Sequence, residues 1–391
     1  MTHPIRIPIA AFFALGLALP EPPPAGAQNA QNLSLKLEIK RAVDKGLDWL
    51  ADNQNEGGWW STEDHPAVTA LALTAFQREP DDYRKTKHAR KIENGYFHLL
   101  SCVHDDGSIY RKKELVTYNT SCSIMALVSA DNPDYDMTLR KARNFLIGLQ
   151  WDFDKKGKLD NPLDGGIGYG GTYPHSDMSN TTLALEALYY TSHLVSEDKD
   201  ADIEMKQLNW KAVRHFLQNS QNLPSVNGQK WASDNPRDKG GFVYFPGNTK
   251  SETVTLPDGR QALRSYGSIS YAGLLSYIYA DLKKDDPRVI AVFEWLKKNY
   301  TLKENPGMGP QGLFYYYHTM AKALAMHGTN ELPSSDGKTV DWRKELALQL
   351  INLQKTDGHW INDQHARWWE NDPALVTSYS LLALEAIYRD L

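Results

Sequence analysis

The chain has 391 residues, 41% of them hydrophobic and 23% charged, which is the composition of a globular protein rather than a disordered one. Its 43 Lys and Arg against 48 Asp and Glu leave a net charge of -5, so there is no electrostatic reason to expect nucleic acid or a strongly anionic membrane as partner. Past the first segment no stretch approaches the roughly 18 consecutive apolar residues of a spanning helix; no integral membrane span is expected, and length does not separate one large domain from two.

The N-terminus has a basic residue, Arg6, then an apolar run from Ile7 to Leu19 interrupted by Pro8, then Ala25-Gly26-Ala27 before Gln28. That order predicts a signal peptide at 1–27 and an exported chain, periplasmic or secreted, whose residues 28–391 form one domain. An uncleaved signal anchor is the rival reading.

A charged, amphipathic helix is expected near Arg41 to Asp52, closed by Gln54-x3-Gly58-x-Trp60 and followed by a helix of small side chains from Val68 to Leu73. The alternation repeats. Amphipathic stretches at Lys85 to Leu100, Thr138 to Leu149, Trp210 to Ser220, Val289 to Asn299 and Arg343 to Leu353 precede small-residue stretches beginning at Asn119, Asn180, Ser268, His318 and Tyr379. After the last amphipathic stretch the opening motif returns as Gln354-x3-Gly358-x-Trp360. Cys102 and Cys122 fall in neighbouring predicted helices; they either pair in an oxidising compartment or stay buried as thiols, and neither has C-x-x-C spacing.

Six pairs of outer amphipathic and inner small-residue helices can close into a ring that leaves no pair with an unburied face. The expected fold is therefore all-α, an (α/α)6 toroid. The long Gly, Pro and Asp-rich segments Asp152 to Ser179 and Pro224 to Ser265 lead into inner helices, so they should gather on one rim around the cavity mouth. Within the second, Asp258-Gly259 between Val254-Thr255-Leu256 and Gln261-Ala262-Leu263 predicts a small β-hairpin.

The two clear motif copies, with looser ones around Gln150, Gln221 and Gly309 to Phe314, resemble the QW repeats of the prenyltransferase and squalene-cyclase proteins, the terpenoid cyclase toroid superfamily. Gly165 to Gly170, Gln311 to Thr319 and Arg367 to Pro373 look like a bacterial group described by its repeats alone. The resemblance covers nearly the whole chain and implies a central cavity for an isoprenoid or other lipid. It does not carry the usual chemistry with it. Where class II cyclases have Asp-x-Asp-Asp-Thr, this chain has Asp177-Met178-Ser179-Asn180-Thr181, with Ser179 at the position of the proton donor. A protonating role for Asp177 requires burial to raise its pKa; otherwise it caps its helix. Where protein prenyltransferases have a zinc-binding Asp-x-Cys, this chain has Tyr266-Gly267-Ser268, so neither metal nor cofactor is expected. His318 matches the histidine of that site and either moves protons or binds a substrate oxygen, or else is a core histidine satisfied by hydrogen bonds. The Cys-Gly-Glu-Gln stretch of complement-like thioester domains is missing from both cysteines.

Polar groups at inner-helix starts, His65, Asn119, Asp177, Ser179, Asn180, Tyr266, Ser268, His318 and Tyr379, are expected near one end of the cavity, as ligand-binding groups or as helix caps. The aromatics Tyr316 and Trp369, with Glu370 and Asp372, complete the candidate ligand site. Three readings remain: an isoprenoid-modifying enzyme using Asp177 and His318, a non-catalytic lipid carrier, and a carbohydrate-active toroid pairing Asp177 with Glu370 or Asp372. Partner proteins are not indicated.

Overall fold

Small side chains on consecutive turns let six helices bury every face, and these form the inner ring. In the computed structural model, which describes residues 25–171, 173–195, 203–333 and 338–391 with side chains from residue 32 onward, the inner helices are α2 (Pro66–Gln77), α5 (Val116–Ser129), α7 (Met178–Tyr190), α9 (Gly267–Tyr279), α11 (Leu313–His327) and α13 (Pro373–Asp390). In α2 every residue from Pro66 to Phe76 is buried. The contacts run α2 to α5, α7, α9, α11 and α13, and α13 returns to α2. The ring is closed.

Around it lie α1 (Ala25–Asp52), α4 (Ala89–Ser101), α6 (Asp136–Gly148), α8 (Trp210–Asn219), α10 (Pro287–Lys298) and α12 (Trp342–Leu353). Each turns one stripe inward; α8 buries Ala212, Val213, Phe216 and Leu217 while Lys211 is exposed. Helix α1 lies against α13 and α12, so the start of the ring is clamped by its end. The expected toroid is the observed one. Helix α1 starts well before Arg41, the short α3 (Tyr83–Lys87) was not anticipated, and the segment expected as a signal peptide lies outside the described residues up to position 24.

The repeated motif is a bracket between successive outer helices. Gln54 Nε2 donates to Gly58 O at 2.9 Å and to Lys91 O, in α4, at 2.7 Å. Gln354 Nε2 donates to Gly358 O at 2.8 Å and to Ala42 O, in α1, at 2.9 Å. The looser copies do the same: Gln150 reaches Asn209 O at 3.1 Å and Gln221 reaches Arg288 O at 3.0 Å. Trp60 and Trp360 are fully buried, and their indole N–H groups donate to Leu50 O and Leu350 O, each at 2.7 Å. Gly58 and Gly358 have φ of +93° and +109°, and a Cβ on either would meet Asn94 O at 2.4 Å or Lys45 O at 2.5 Å. Only glycine combines that backbone conformation with that approach.

The hairpin forms as expected, β1 (Thr253–Thr255) pairing antiparallel with β2 (Gln261–Leu263) in the register Val254 to Ala262. A second, unexpected one pairs β3 (Glu331–Pro333) with β4 (Thr339–Asp341). Cys102 and Cys122 are both free and buried; Cys102 Sγ donates to His98 O at 3.3 Å. None of the described helices is long and apolar enough to cross a membrane.

Candidate functional site

The axis of the ring holds a cavity of about 350 Å³ to which all six inner helices contribute: Val68, Tyr118, Leu183, Ile269, Tyr315 and Tyr379 each come from a different one. Its mouth is built from loops. Tyr169 comes from the first long insertion, Tyr244 and Lys250 from the second, and Trp368 to Glu370 from the turn before α13. The wall is therefore apolar and aromatic with hydroxyls at ring tips, a surface that holds a hydrocarbon and offers few polar contacts. Those hydroxyls pair with one another: Tyr169 with Tyr244 and Tyr118 with Tyr379, each at 2.8 Å. Lys250 Nζ lies 4.3 Å above the Tyr244 ring, and burial holds its pKa below the ordinary lysine value.

Every inner helix contributes its first turns to this cavity, so six helix N-termini face one rim. Their free N–H groups and positive dipole ends require acceptors, and several polar side chains around the rim supply them. Asp177 Oδ1 accepts from Asn180 N at 2.9 Å and its Oδ2 from Asn180 Nδ2 at 2.8 Å. Asp372 Oδ1 accepts from Ala374 N and Leu375 N at 2.9 and 3.0 Å, while Ser61 donates to its other oxygen. Three caps come from another repeat: Asn119 Oδ1 accepts from Ala67 N at 3.1 Å, Asn305 Oδ1 from Ser268 N at 2.9 Å, and Glu370 Oε1 from Tyr315 N at 2.8 Å. Glu370 Oε2 accepts from Asn362 Nδ2 at 2.7 Å. Burial raises Asp177 to about 6 and Glu370 to about 7, against these donors, which pull both down.

Of the residues singled out by sequence, Ser179, Asn180, Tyr266, Ser268, Trp369, Glu370 and Tyr379 line the cavity. Asp177, Asn119 and Asp372 stand behind the wall as caps. His65 lies beneath Trp369, ring centroids 4.6 Å apart. His318 faces a second, lower chamber. Tyr316 is a correction: its hydroxyl donates to Thr301 O at 2.9 Å, away from the axis, and its neighbour Tyr315 lines the cavity instead. One residue along a helix is a turn of about 100°, enough to exchange wall for scaffold. Sequence reasoning missed Tyr118, Tyr169, Tyr244 and Lys250. The signal for Tyr315 was available, because Tyr315, His318, Thr319 and Lys322 share one stripe at helical spacing.

Trp368 and Trp369 are adjacent non-glycine residues with φ of +58° and +63°, a strained turn costing about 1–3 kcal/mol per residue. Arg367 lies 4.4 Å over the Trp368 ring, Trp369 rests on His65, and Glu370 anchors the turn to α11. Both indoles are about two-fifths exposed and form part of the mouth. Away from the axis, Asp44, Glu79 and Asp81 bring carboxylates close together, but Lys40 and Arg84 pair with them and Glu79 accepts from Arg84 N and Lys85 N.

No protein-family model matches the sequence, and no curated protein matches it. Among solved structures, the apo type II terpene cyclase MstE from Scytonema superposes with a TM-score of 0.54 at 11% identity, covering 91% of this chain and 99% of that one. An MstE variant in complex with geranylgeranyl dihydroxybenzoate, its substrate, gives 0.53 at 11% identity over 92% and 100%. A variant in complex with the product merosterolic acid A gives 0.53 at 10% identity over 92% and 99%. At this identity the likeness establishes the fold, the α/α toroid of terpene cyclases.

Proposed function

We propose that this chain is an exported toroid protein that binds an isoprenoid, or a lipid chain of similar shape, in its axial cavity. The observation that carries this reading is the 350 Å³ cavity, within the range of small-molecule sites, walled by tyrosines, indoles and aliphatic side chains. The same fold in MstE holds a geranylgeranyl compound.

The disposition of carboxyls favours binding over protonation. Asp177 is fully buried and both its oxygens accept from Asn180; Glu370 has both oxygens engaged by Tyr315 and Asn362. A proton donor must reach its substrate directly or through one intermediary, and neither oxygen pair faces the cavity unoccupied. The pairs nominated for sugar chemistry, Asp177 with Glu370 or Asp372, are committed in the same way, since Asp372 also caps a helix. One observation favours an enzymatic reading instead: the Tyr244 hydroxyl, bonded to Tyr169 at the cavity wall, lies close enough to Asp177 to influence its titration, so a hydroxyl stands between the cavity and a carboxyl whose pKa burial raises to about 6.

The test is mass spectrometry of organic extracts from the purified chain, before and after incubation with squalene and polyprenyl compounds. Co-purified or retained lipid without conversion is expected. Cyclised products that vanish in Asp177→Asn would replace the carrier reading with the enzymatic one, and neither lipid nor product would remove both. N-terminal sequencing of the protein recovered from outside the cytoplasm, beginning at Gln28, is the outcome expected for export.

A further inference from the structure

Beneath the main cavity the ring holds a second, much smaller chamber of about 40 Å³, room for a few small atoms at roughly 10–15 Å³ for each water-sized group. Tyr118, Leu183, Tyr315 and Tyr379 line both spaces and form the floor of one and the roof of the other. The lower chamber carries more charge than the upper, Arg78, Glu186 and Lys322 against Lys250 and Glu370, and its polarity is unfinished. Ser121 Oγ and His318 Nδ1 have no hydrogen-bond partner among the described residues, although the two side chains are only 1% and 6% exposed. Both line the chamber. Folded proteins pair nearly all such atoms, because a buried donor or acceptor left alone forfeits its hydration without return.

The surrounding charges indicate what would complete the pairing. Lys322 forms an ion pair with Glu186 across the chamber, and Arg78 also borders it, so two cations face one carboxylate. His318 is neutral: burial, and then the fields of Lys322 and Arg78, hold it well below its ordinary pKa. An electropositive enclosure with a hydroxyl and an imidazole nitrogen to satisfy favours an oxygen with lone pairs. Its volume, small beside the 350 Å³ above it, admits an end group and little hydrocarbon.

We infer that the lower chamber recognises a single oxygen-bearing end group, hydroxyl or carboxylate, on the chain held above. The ligand then lies with its polar end inward, its entry parting the Tyr118 and Tyr379 hydroxyls that otherwise bond to each other at 2.8 Å, and its hydrocarbon runs toward Trp368 and Trp369 at the mouth. A hydroxyl end would complete Ser121 and His318 by accepting from one and donating to the other; a carboxylate end would accept from both. This inference rests on the reading that the upper cavity takes an apolar chain.

Three probes with one hydrocarbon skeleton test it: farnesene without oxygen, farnesol with a hydroxyl and farnesoic acid with a carboxylate. Their affinities for the full chain are measured by calorimetry, and the readout is the ratio of each oxygenated probe to farnesene. Farnesol or farnesoic acid should bind at least about fivefold tighter than farnesene, the effect of a single net hydrogen bond. The ratio should fall toward one in Ser121→Ala and in His318→Phe. Ser121→Ala removes one oxygen from a helix and supplies the answer if His318→Phe does not fold. Equal affinities in the unsubstituted chain, or a ratio that survives in folded Ser121→Ala, overturn the end-group inference while farnesene binding leaves the cavity reading intact. Binding of none of the three overturns both.

Discussion

Glu370 shows how one side chain can be structural and titratable at once. It holds the strained Trp368 and Trp369 turn to the first turn of α11 through Tyr315 N and Asn362, yet burial lifts its carboxyl from the ordinary 4.5 to about 7. With Asp177 also raised, the folded chain keeps protons that the unfolded chain has released. The contribution of these two carboxyls to stability is therefore fullest below the ordinary carboxylate range, falls as pH rises toward about 7, and is level above that. Urea denaturation at pH 5 and pH 8, in the unsubstituted chain and in a Glu370 variant, isolates this contribution from that of the buried histidines, whose lowered pKa values act in the opposite direction. In Glu370→Gln the pH dependence should shrink by on the order of 2 kcal/mol, because the group that loses its proton in this window is gone. An unchanged slope would mean that Glu370 stays ionised throughout. Tyr315 and Tyr316 carry the complementary lesson: identical side chains on adjacent positions take opposite roles, and only the phase of α11 against its neighbours separates them.

At the scale of elements, the Gln-Gly-Trp bracket sets how closely successive outer helices follow one another. Its glycine is the most constrained part, since Gly358 adopts φ +109° with Lys45 O where a Cβ would stand, 2.5 Å away. Gly157 also has positive φ, +76°, but nothing lies within 4 Å of its would-be Cβ. Gly358→Ala should cost about 3 kcal/mol or more, strain plus clash, whereas Gly157→Ala should cost about 1 kcal/mol, strain alone. Chemical denaturation of the two variants checks this, and equal losses would show that the close approach contributes nothing. The bracket was legible in the sequence because its residues are local to one turn. The cross-repeat caps were not: Asn119 lies 52 positions from Ala67, whose N–H it accepts, and Glu370 lies 55 positions from Tyr315, so no local pattern announces either.

For the whole molecule, the ring converts six similar helix starts into one cavity and stacks a small charged chamber beneath it. The Glu186 and Lys322 pair joins α7 to α11 across this chamber, with side chains 6% and 15% exposed. Lys322→Met leaves Glu186 buried without a partner and should cost about 3 kcal/mol, while Glu186→Leu with Lys322→Met should recover most of it. Thermal or urea denaturation of the single and double variants decides this; a double variant as weak as the single one would show that the cost lies in packing and not in the stranded charge.

The sequence by itself determined the repeat, the order of outer and inner helices, the closing bracket and the first hairpin, because each follows from side chains a few positions apart. It also indicated a central cavity through the small-residue helices that have to surround one. Tertiary structure alone decided which polar residues face that cavity and which are caps. Six helix N-termini meeting at one rim demand buried acceptors, and residues such as Asp177, Asn119 and Asp372, which resemble a site in one dimension, are used to meet that demand in three. Much of the remaining cavity wall comes from Tyr118, Tyr169, Tyr244 and Tyr315, drawn from separate helices and loops that only the closed ring brings together.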